Sequence, residues 1–130
     1  VVGTMDSSGG ISFGTPVVFE SATVYYTAIN YDVGVGNGKV LISYRDAGNS
    51  DYGTAIVGTI DSSDNSISFG TAVVFNSGES NWITSSYDLV ASKHVITYAD
   101  VPAGTYTNAI VGTVSGTGVS FGSEATVKKR

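Results

Sequence analysis

Residues 56–70 read IVGTIDSSDNSISFG, and closely related stretches begin at Val1 and Ile110. The N-terminal copy reads VVGTMDSSGGISFG, and the C-terminal copy reads IVGTVSGTGVSFG. A second pattern, ISYRD at 42–46, returns as ITYAD at 96–100. The repeat period is therefore about 55 residues, a length typical of arrays built from supersecondary units.

Each repeat contains four short stretches of β-branched and aromatic residues, separated by clusters of Gly, Asn, Asp and Ser. This pattern predicts consecutive antiparallel strands, and the sequence shows no helical periodicity. We predict first strands at 25–31 and 82–87, second strands at 39–45 and 93–99, third strands at 1–5, 54–60 and 108–114, and fourth strands at 11–19, 66–75 and 118–127.

The predicted second strand is apolar on both faces, because Val40, Ile42 and Tyr44 alternate with Leu41. A sheet of this kind must be covered on both sides. Four-stranded units that pack face to face around an axis are the blades of a β-propeller. We therefore predict an all-β fold of four-stranded antiparallel propeller blades, about two and a half in this chain. An open β-solenoid or a stacked sandwich is the alternative.

The repeat boundaries divide the chain into a half blade at 1–20, blades at 21–75 and 76–127, and a basic tail at 128–130. A propeller ring needs roughly four to eight blades. We therefore expect the ring to be completed by self-assembly or by a longer parent chain. The chain begins inside a repeat, without an initiator Met or a signal-like segment, which favours a fragment or a processed product.

The hairpin TIDSSDNSISF at 59–69 resembles the Asp-box hairpin of sialidase-type propellers, in which Ser or Thr, Asp, Gly and an aromatic residue recur. Residues 4–13 are similar, whereas Ser115 replaces the Asp in the third copy. The whole unit is similar to tandem Gly/Ser/Val-rich repeats of predicted phage and marine bacterial surface proteins. The resemblance implies a propeller and an attachment role. It does not extend to a sialidase site, which needs an arginine cluster, because the chain has only Arg45 and Arg130.

Composition excludes several classes of partner. Eleven acidic residues against six basic ones give a net charge of -5, so the chain would repel nucleic acid. No apolar run is long enough for a membrane span, and the absence of cysteine excludes thiolate chemistry.

Loops between the fourth and first strands, and between the second and third, emerge on one face of a propeller. That face would collect residues 20–23, 45–53, 76–81 and 100–107. Aromatic rings beside carboxylates and amides suit sugar rings. The candidate ligand-binding residues are Tyr26, Trp82, Tyr52, Tyr106, Asp46, Asp100, Asn81 and Glu79. Alternatively, Tyr26 and Trp82 pack between adjacent blades.

Other repeated or unusual residues have structural interpretations. Recurring aromatic residues inside strands are predicted to form the core: Tyr31, Tyr87, Tyr44, Tyr98, Phe13, Phe69, Phe121, Phe19 and Phe75. The sole histidine, His94, is expected to have a structural or surface role. Asp61 and Asp64 offer oxygens to Ca²⁺, but such a site needs six or more, and we favour a role in fixing the hairpin. We predict no metal and no cofactor.

These observations predict a non-enzymatic propeller module for surface recognition, with weak multivalent carbohydrate binding in a virion-associated or extracellular assembly. Its partners would be copies of itself or further blades of the same polypeptide, together with glycans. The alternatives are a structural self-assembling repeat with no ligand, and a glycoside hydrolase fragment that uses two of Asp46, Asp51, Glu79 and Asp100.

Overall fold

The computed structural model describes residues 1–34 and 38–128. Within these ranges the chain forms eleven strands and one 3₁₀ turn, at Ala47–Asn49, which confirms the all-β prediction. The strands are β1 (Gly3–Met5), β2 (Ile11–Phe13), β3 (Val24–Asp32), β4 (Lys39–Asp46), β5 (Tyr52–Asp61), β6 (Ser66–Phe69), β7 (Val73–Asp88), β8 (Lys93–Asp100), β9 (Tyr106–Ser115), β10 (Gly118–Phe121) and β11 (Ala125–Lys128). The last two residues of the predicted basic tail lie outside the described residues.

The strands form a hairpin and two successive antiparallel meanders. β1 and β2 make the N-terminal hairpin, and β3, β4, β5 and β6 make the first meander. The second meander consists of the end of β7 followed by β8, β9 and β10. β7 belongs to both meanders, because residues 73–79 pair with β5 and residues 80–88 pair with β8. The predicted loop at 76–81 is therefore wrong, since this polar stretch continues a strand.

The predicted fourth strands are shorter than expected. β2, β6 and β10 end at Phe13, Phe69 and Phe121, and a separate strand begins after each of β6 and β10. A Cβ atom on Gly70 would lie 1.8 Å from the backbone oxygen of Thr117, in the turn between β9 and β10. The break in the fourth strand thus lies where the next meander packs closely against the backbone.

The two meanders pack face to face. The back face of the first meander, defined by Leu41, Ala55 and Val57, is fully buried. It shares one hydrophobic cluster with the front face of the second meander, defined by Ile96, Tyr98 and Ile110. This packing removes both apolar surfaces from water, which is the main force that holds the meanders together.

The opposite, front face of the first meander carries Ile42, Tyr44 and Ile56, which form a second cluster with Phe19. Both faces of β4 are therefore covered, as its sequence predicts. The back face of the second meander, defined by Val95, Ala109 and Val111, remains partly open, and Val111 is 43% exposed.

Aromatic contacts repeat where successive units meet. The Phe19 ring lies 5.2 Å from that of Tyr44 and 5.8 Å from that of Phe69. The Phe75 ring likewise lies 5.1 Å from that of Tyr98 and 5.7 Å from that of Phe121. In each case the phenylalanine that follows one unit, Phe19 or Phe75, contacts two aromatic rings of the next unit. The core prediction is wrong for Phe13 and Tyr31, whose side chains are exposed.

We expect Leu41→Ala to lower the free energy of unfolding by about 2–5 kcal/mol, because the change leaves a cavity between the meanders. The matched change Leu89→Ala removes the same atoms from an exposed turn. It should alter stability by less than about 0.5 kcal/mol. Urea unfolding followed by circular dichroism measures both values, and equal effects would contradict burial of Leu41 between the meanders.

Candidate functional site

Two exposed aromatic residues meet where the first strands of the meanders lie side by side. The ring centroids of Tyr26 and Trp82 are 6.4 Å apart. Each residue lies in an interruption of the ladder: the register between β3 and β4 shifts between Tyr25 and Ala28, and that between β7 and β8 shifts between Asn81 and Thr84. Such bulges bend a strand and redirect its side chains.

The backbone at both positions is strained. Tyr26 has φ 51° and Trp82 has φ 50°, in the left-handed region that bulky residues rarely adopt. Tyr26 is 40% exposed and Trp82 is 56% exposed. Strain of this kind costs about 1–3 kcal/mol and persists only where the surrounding structure maintains it. Because both rings remain open to solvent, packing between the meanders does not by itself explain why aromatic residues occupy these strained positions.

Arg45 of β4 lies beside these rings. Its guanidinium carbon is 4.6 Å from the ring centroid of Tyr25 and 5.5 Å from that of Tyr26. Stacking of this kind combines a cation–π attraction with flat surface contact. It places the guanidinium beside both tyrosine rings.

Arg45 also fixes three polar groups of the neighbouring segments. Its Nε lies 3.0 Å from Oδ1 of Asp51, and its Nη1 lies 3.3 Å from Oε1 of Glu79. Nη1 also donates a hydrogen bond to Oδ1 of Asn81, whose Nδ2 donates to Oε1 of Glu79 at 3.2 Å. These contacts connect β4 to β7. We call this group the Arg45 cluster; its members are Tyr25, Tyr26, Arg45, Asp51, Glu79, Asn81 and Trp82.

Four of the candidate ligand-binding residues come together in the Arg45 cluster, namely Tyr26, Glu79, Asn81 and Trp82. The structure places Asp46 elsewhere, because successive side chains of a strand point to opposite faces and Arg45 precedes it. Asp46 is buried, and its Oδ1 accepts a hydrogen bond from the Gly48 amide at 2.9 Å. It caps the 3₁₀ turn and is not brought into the cluster.

The other three candidates lie in the strand ladders around the cluster. Tyr52 pairs with Asp46 in the β4–β5 ladder and with Glu79, a member of the Arg45 cluster, in the β5–β7 ladder. Asp100 and Tyr106 form the equivalent pair in the second meander. The structure thus brings half of the predicted set together around Arg45 and places Tyr52 opposite Glu79.

Sequence reasoning missed Tyr25; it placed Arg45 and Asp51 on the loop face but did not include them among the candidate ligand-binding residues. The alternation of side chains along β4 was the available signal, since it separates Arg45 from Asp46 and puts Arg45 on the face towards the next repeat. No local sequence pattern indicates the contact of Arg45 with Glu79, because this contact depends on the packing of two repeats.

The Arg45 cluster occurs once in the part of the chain that the structure describes. Ala99 and Thr105 occupy the positions of Arg45 and Asp51 in the second meander. The backbone is nevertheless left-handed at the equivalent position of both repeats: φ is 62° at Asp51 and 61° at Thr105. The scaffold of the site is therefore repeated, whereas its charged groups are not.

A second polar contact between the meanders is buried. Nε2 of His94 lies 3.2 Å from Oδ2 of Asp32, and both side chains are almost completely excluded from solvent. The Tyr87 ring packs against the imidazole with centroids 4.9 Å apart. Burial lowers the pKa of His94 below its usual value of 6.5, and the contact with Asp32 opposes this effect only in part. The neutral imidazole is therefore the favoured form.

The hairpin aspartates serve as turn acceptors. Oδ1 of Asp61 accepts from the Ser63 amide at 2.9 Å and from the Ser63 hydroxyl at 2.6 Å, and Asp6 bonds Ser8 in the same way. The serine hydroxyls, followed by backbone amides, lower the pKa of both carboxyl groups. In residues 1–34 and 38–128 no group of three or more His, Asp or Glu side chains is arranged to hold a metal ion.

Two buried phenols also titrate abnormally. Burial, with the nearby carboxylates of Glu20 and Asp46, raises the pKa of Tyr44 to about 12. Burial and a hydrogen bond from its hydroxyl to Glu124 raise the pKa of Tyr98. Both phenols are neutral at physiological pH, as an ordinary tyrosine is, and they act as packing residues of the front faces.

Comparison of the chain with protein-family models, with curated proteins and with solved structures returned no match. Among the described residues, no helix has the length and apolar content that a membrane crossing requires.

We expect the free energy of unfolding to fall as the pH drops from 6.5 to 5, by up to about 1.4 kcal/mol per pH unit. The unfolded chain takes up a proton on His94 in this window, whereas the folded chain, with a lowered pKa, resists it. His94 is the only histidine, and ordinary carboxyl groups titrate lower, near pH 4. Urea unfolding across this range tests the effect. In His94→Gln the free energy of unfolding should no longer depend on pH in this range. An unchanged dependence would show that another group takes up the proton.

We expect Trp82→Gly to change the free energy of unfolding by less than about 1 kcal/mol, because relief of the left-handed strain offsets the lost contacts. The neighbouring change Ile83→Gly removes a buried side chain and should cost at least the roughly 2–5 kcal/mol of a buried Ile→Ala change. Thermal and urea unfolding compare the two. A large loss in Trp82→Gly would instead identify Trp82 as a packing residue between the meanders.

Proposed function

We propose that this chain is a non-enzymatic recognition module that binds neutral saccharides at the Arg45 cluster. The observation that carries the proposal is the exposed pair of rings, Tyr26 and Trp82, held at strained positions beside fixed polar groups. Retaining strained, solvent-exposed aromatic residues costs stability, and a binding role accounts for this cost.

The arrangement suits a sugar ring. The apolar face of a pyranose would pack on the indole of Trp82 or the phenol of Tyr26. Its hydroxyl groups would donate to the carboxylates of Glu79 and Asp51, which Arg45 holds in place. Two carboxylates against one guanidinium leave the cluster with excess negative charge, so a sialylated or sulfated sugar would be repelled.

The same geometry argues against glycoside hydrolysis. A hydrolase needs two carboxyl groups that face each other across the scissile bond. In the cluster, Arg45 contacts both Asp51 and Glu79, at 3.0 Å and 3.3 Å, and occupies the space between them. Asp46, another of the carboxylates considered, is buried and bonded to a backbone amide.

We further propose that the meanders are propeller blades in a virion-associated or extracellular assembly. Their face-to-face packing and the repeated aromatic contacts between units support this architecture. So does the resemblance of the hairpins to the Asp-box. Further units, from other copies or from a longer chain, would complete the ring. Several weak sites on one assembly would gain avidity for a polyvalent glycan surface.

A glycan array followed by calorimetry tests saccharide binding. We expect neutral glycans to bind, and Trp82→Ala to weaken that binding at least about tenfold, since a central aromatic contact contributes about 1.4 kcal/mol or more. Trp82→Phe should restore part of the affinity. As Trp82 is the only tryptophan, its fluorescence should shift when the wild type binds.

The matched control is Tyr31→Ala, which removes an exposed aromatic ring of β3 outside the cluster and should leave binding unchanged. Equal binding by Trp82→Ala and the wild type would reject the site. Preference for sialylated glycans would contradict the charge argument.

A purely structural repeat with no ligand is the second candidate function. It is favoured by large apolar side chains that are exposed at both ends of the array, such as Met5, Phe13 and Val111. Assembly of the chain in the absence of any glycan binding would support this alternative.

A further inference from the structure

The chain contains two junctions of the same construction. The first lies between the N-terminal segment, residues 1–20, and the first meander; the second lies between the two meanders. A Cβ atom on Gly14 would come within 2.4 Å of the backbone oxygen of Asn65, and one on Gly70 within 1.8 Å of that of Thr117. In each case the glycine that ends one unit allows close approach of the turn of the next hairpin.

The two junctions also share their apolar contacts. Phe19 packs on Tyr44 of the first meander, and Phe75, the equivalent residue one repeat later, packs on Tyr98 of the second. The back face of the first meander is fully buried against the front face of the second. Each junction therefore joins the back of one unit to the front of the next.

The C-terminal end of the array presents one half of a third junction. A Cβ atom on Gly122, which is equivalent to Gly14 and Gly70, would meet only the oxygen of Val111, at 3.9 Å. Val111 is 43% exposed, whereas the equivalent Val57 is fully buried. Val127 stands at the position of Phe75 and is also exposed. We call this surface the C-terminal face; it comprises Val95, Ala109, Val111, Gly122 and Val127.

The N-terminal end presents the complementary half. Met5 pairs with Ile11, and Phe13 pairs with Gly3, so their three apolar side chains share one face of the hairpin. Met5 is 82% exposed and Phe13 is 65% exposed. In the second meander the residues equivalent to Met5 and Ile11, Val114 and Val119, are buried against the first meander. We call Met5, Ile11 and Phe13 the N-terminal face.

We propose that the chain associates head to tail with a second copy of itself, the N-terminal face of one copy packing on the C-terminal face of the other. The two faces are the separated halves of a junction that the chain already makes twice. Because the halves differ, the contact is heterologous and does not stop at a twofold dimer; it continues into a ring or an open filament. A second copy is the occupant because it carries the complementary repeat surface. The inference deepens the proposed assembly but rests on the junction geometry and not on saccharide binding.

Light scattering and sedimentation of two blocked variants test the proposal. Gly122→Leu fills open space in the single chain but obstructs the C-terminal face, whereas Phe13→Asp places a charge on the exposed N-terminal face. We expect the wild type to form species larger than a dimer as its concentration rises. Each variant alone should remain at the monomer mass of 13.3 kDa, and an equimolar mixture should stop at the heterodimer, because each variant retains one functional face.

Val90→Asp is the matched control, since Val90 is 97% exposed in the turn between β7 and β8, away from both faces. It should associate like the wild type. A wild type that stays monomeric at hundreds of micromolar, self-association of either blocked variant alone, or a mixture without heterodimer would overturn the proposal. Neither blocking change touches the Arg45 cluster. Tryptophan fluorescence titration of the blocked monomers with a glycan that binds the wild type therefore reports saccharide binding separately from association.

Discussion

The back of one meander must be covered by the front of the next, and every other feature of the structure depends on this contact. Leu41, Ala55 and Val57 have no other partner that could remove them from water, and a single small sheet is marginal when its apolar faces are wet. Stacking in this direction brings β3 and β7 side by side. It thereby creates the polar contacts between the units, which include the Arg45 cluster, the hydrogen bond from Nδ2 of Asn30 to Oγ of Ser85, and the buried pair of His94 and Asp32.

The Arg45 cluster and the buried pair use the same junction in different ways. His94 and Asp32 lie at its closed part, where an unpaired polar group would cost about 1–3 kcal/mol, so their contact makes the fit between units specific. Tyr26 and Trp82 lie at its open edge, where the chain accepts left-handed backbone to keep two rings in solvent. A junction selected for stability alone would have glycine at these bulges.

Much of this arrangement could be predicted from the sequence. The repeat period, the order of strands and the two apolar faces of β4 follow from local patterns, because burial on both sides leaves no polar alternation. The polar run at 76–81 predicts a loop, since it lacks β-branched residues; its strand conformation comes from pairing with β5 and β8. The contacts of Arg45 with Glu79 and Asn81 required the packing of two repeats, which local patterns do not contain.

The difference between the repeats limits how the chain can achieve multivalent binding. The loops after β4 and β8 are both left-handed at the position of Asp51 and Thr105. Ala99 and Thr105 nevertheless replace the arginine and aspartate of the Arg45 cluster. A second site within these repeats would need a cation at position 99 to hold carboxylates beside the aromatic residues. Avidity therefore requires further chains, or further repeats with an arginine at the position equivalent to Arg45. The apolar faces that join the units then also determine how many saccharide sites act together.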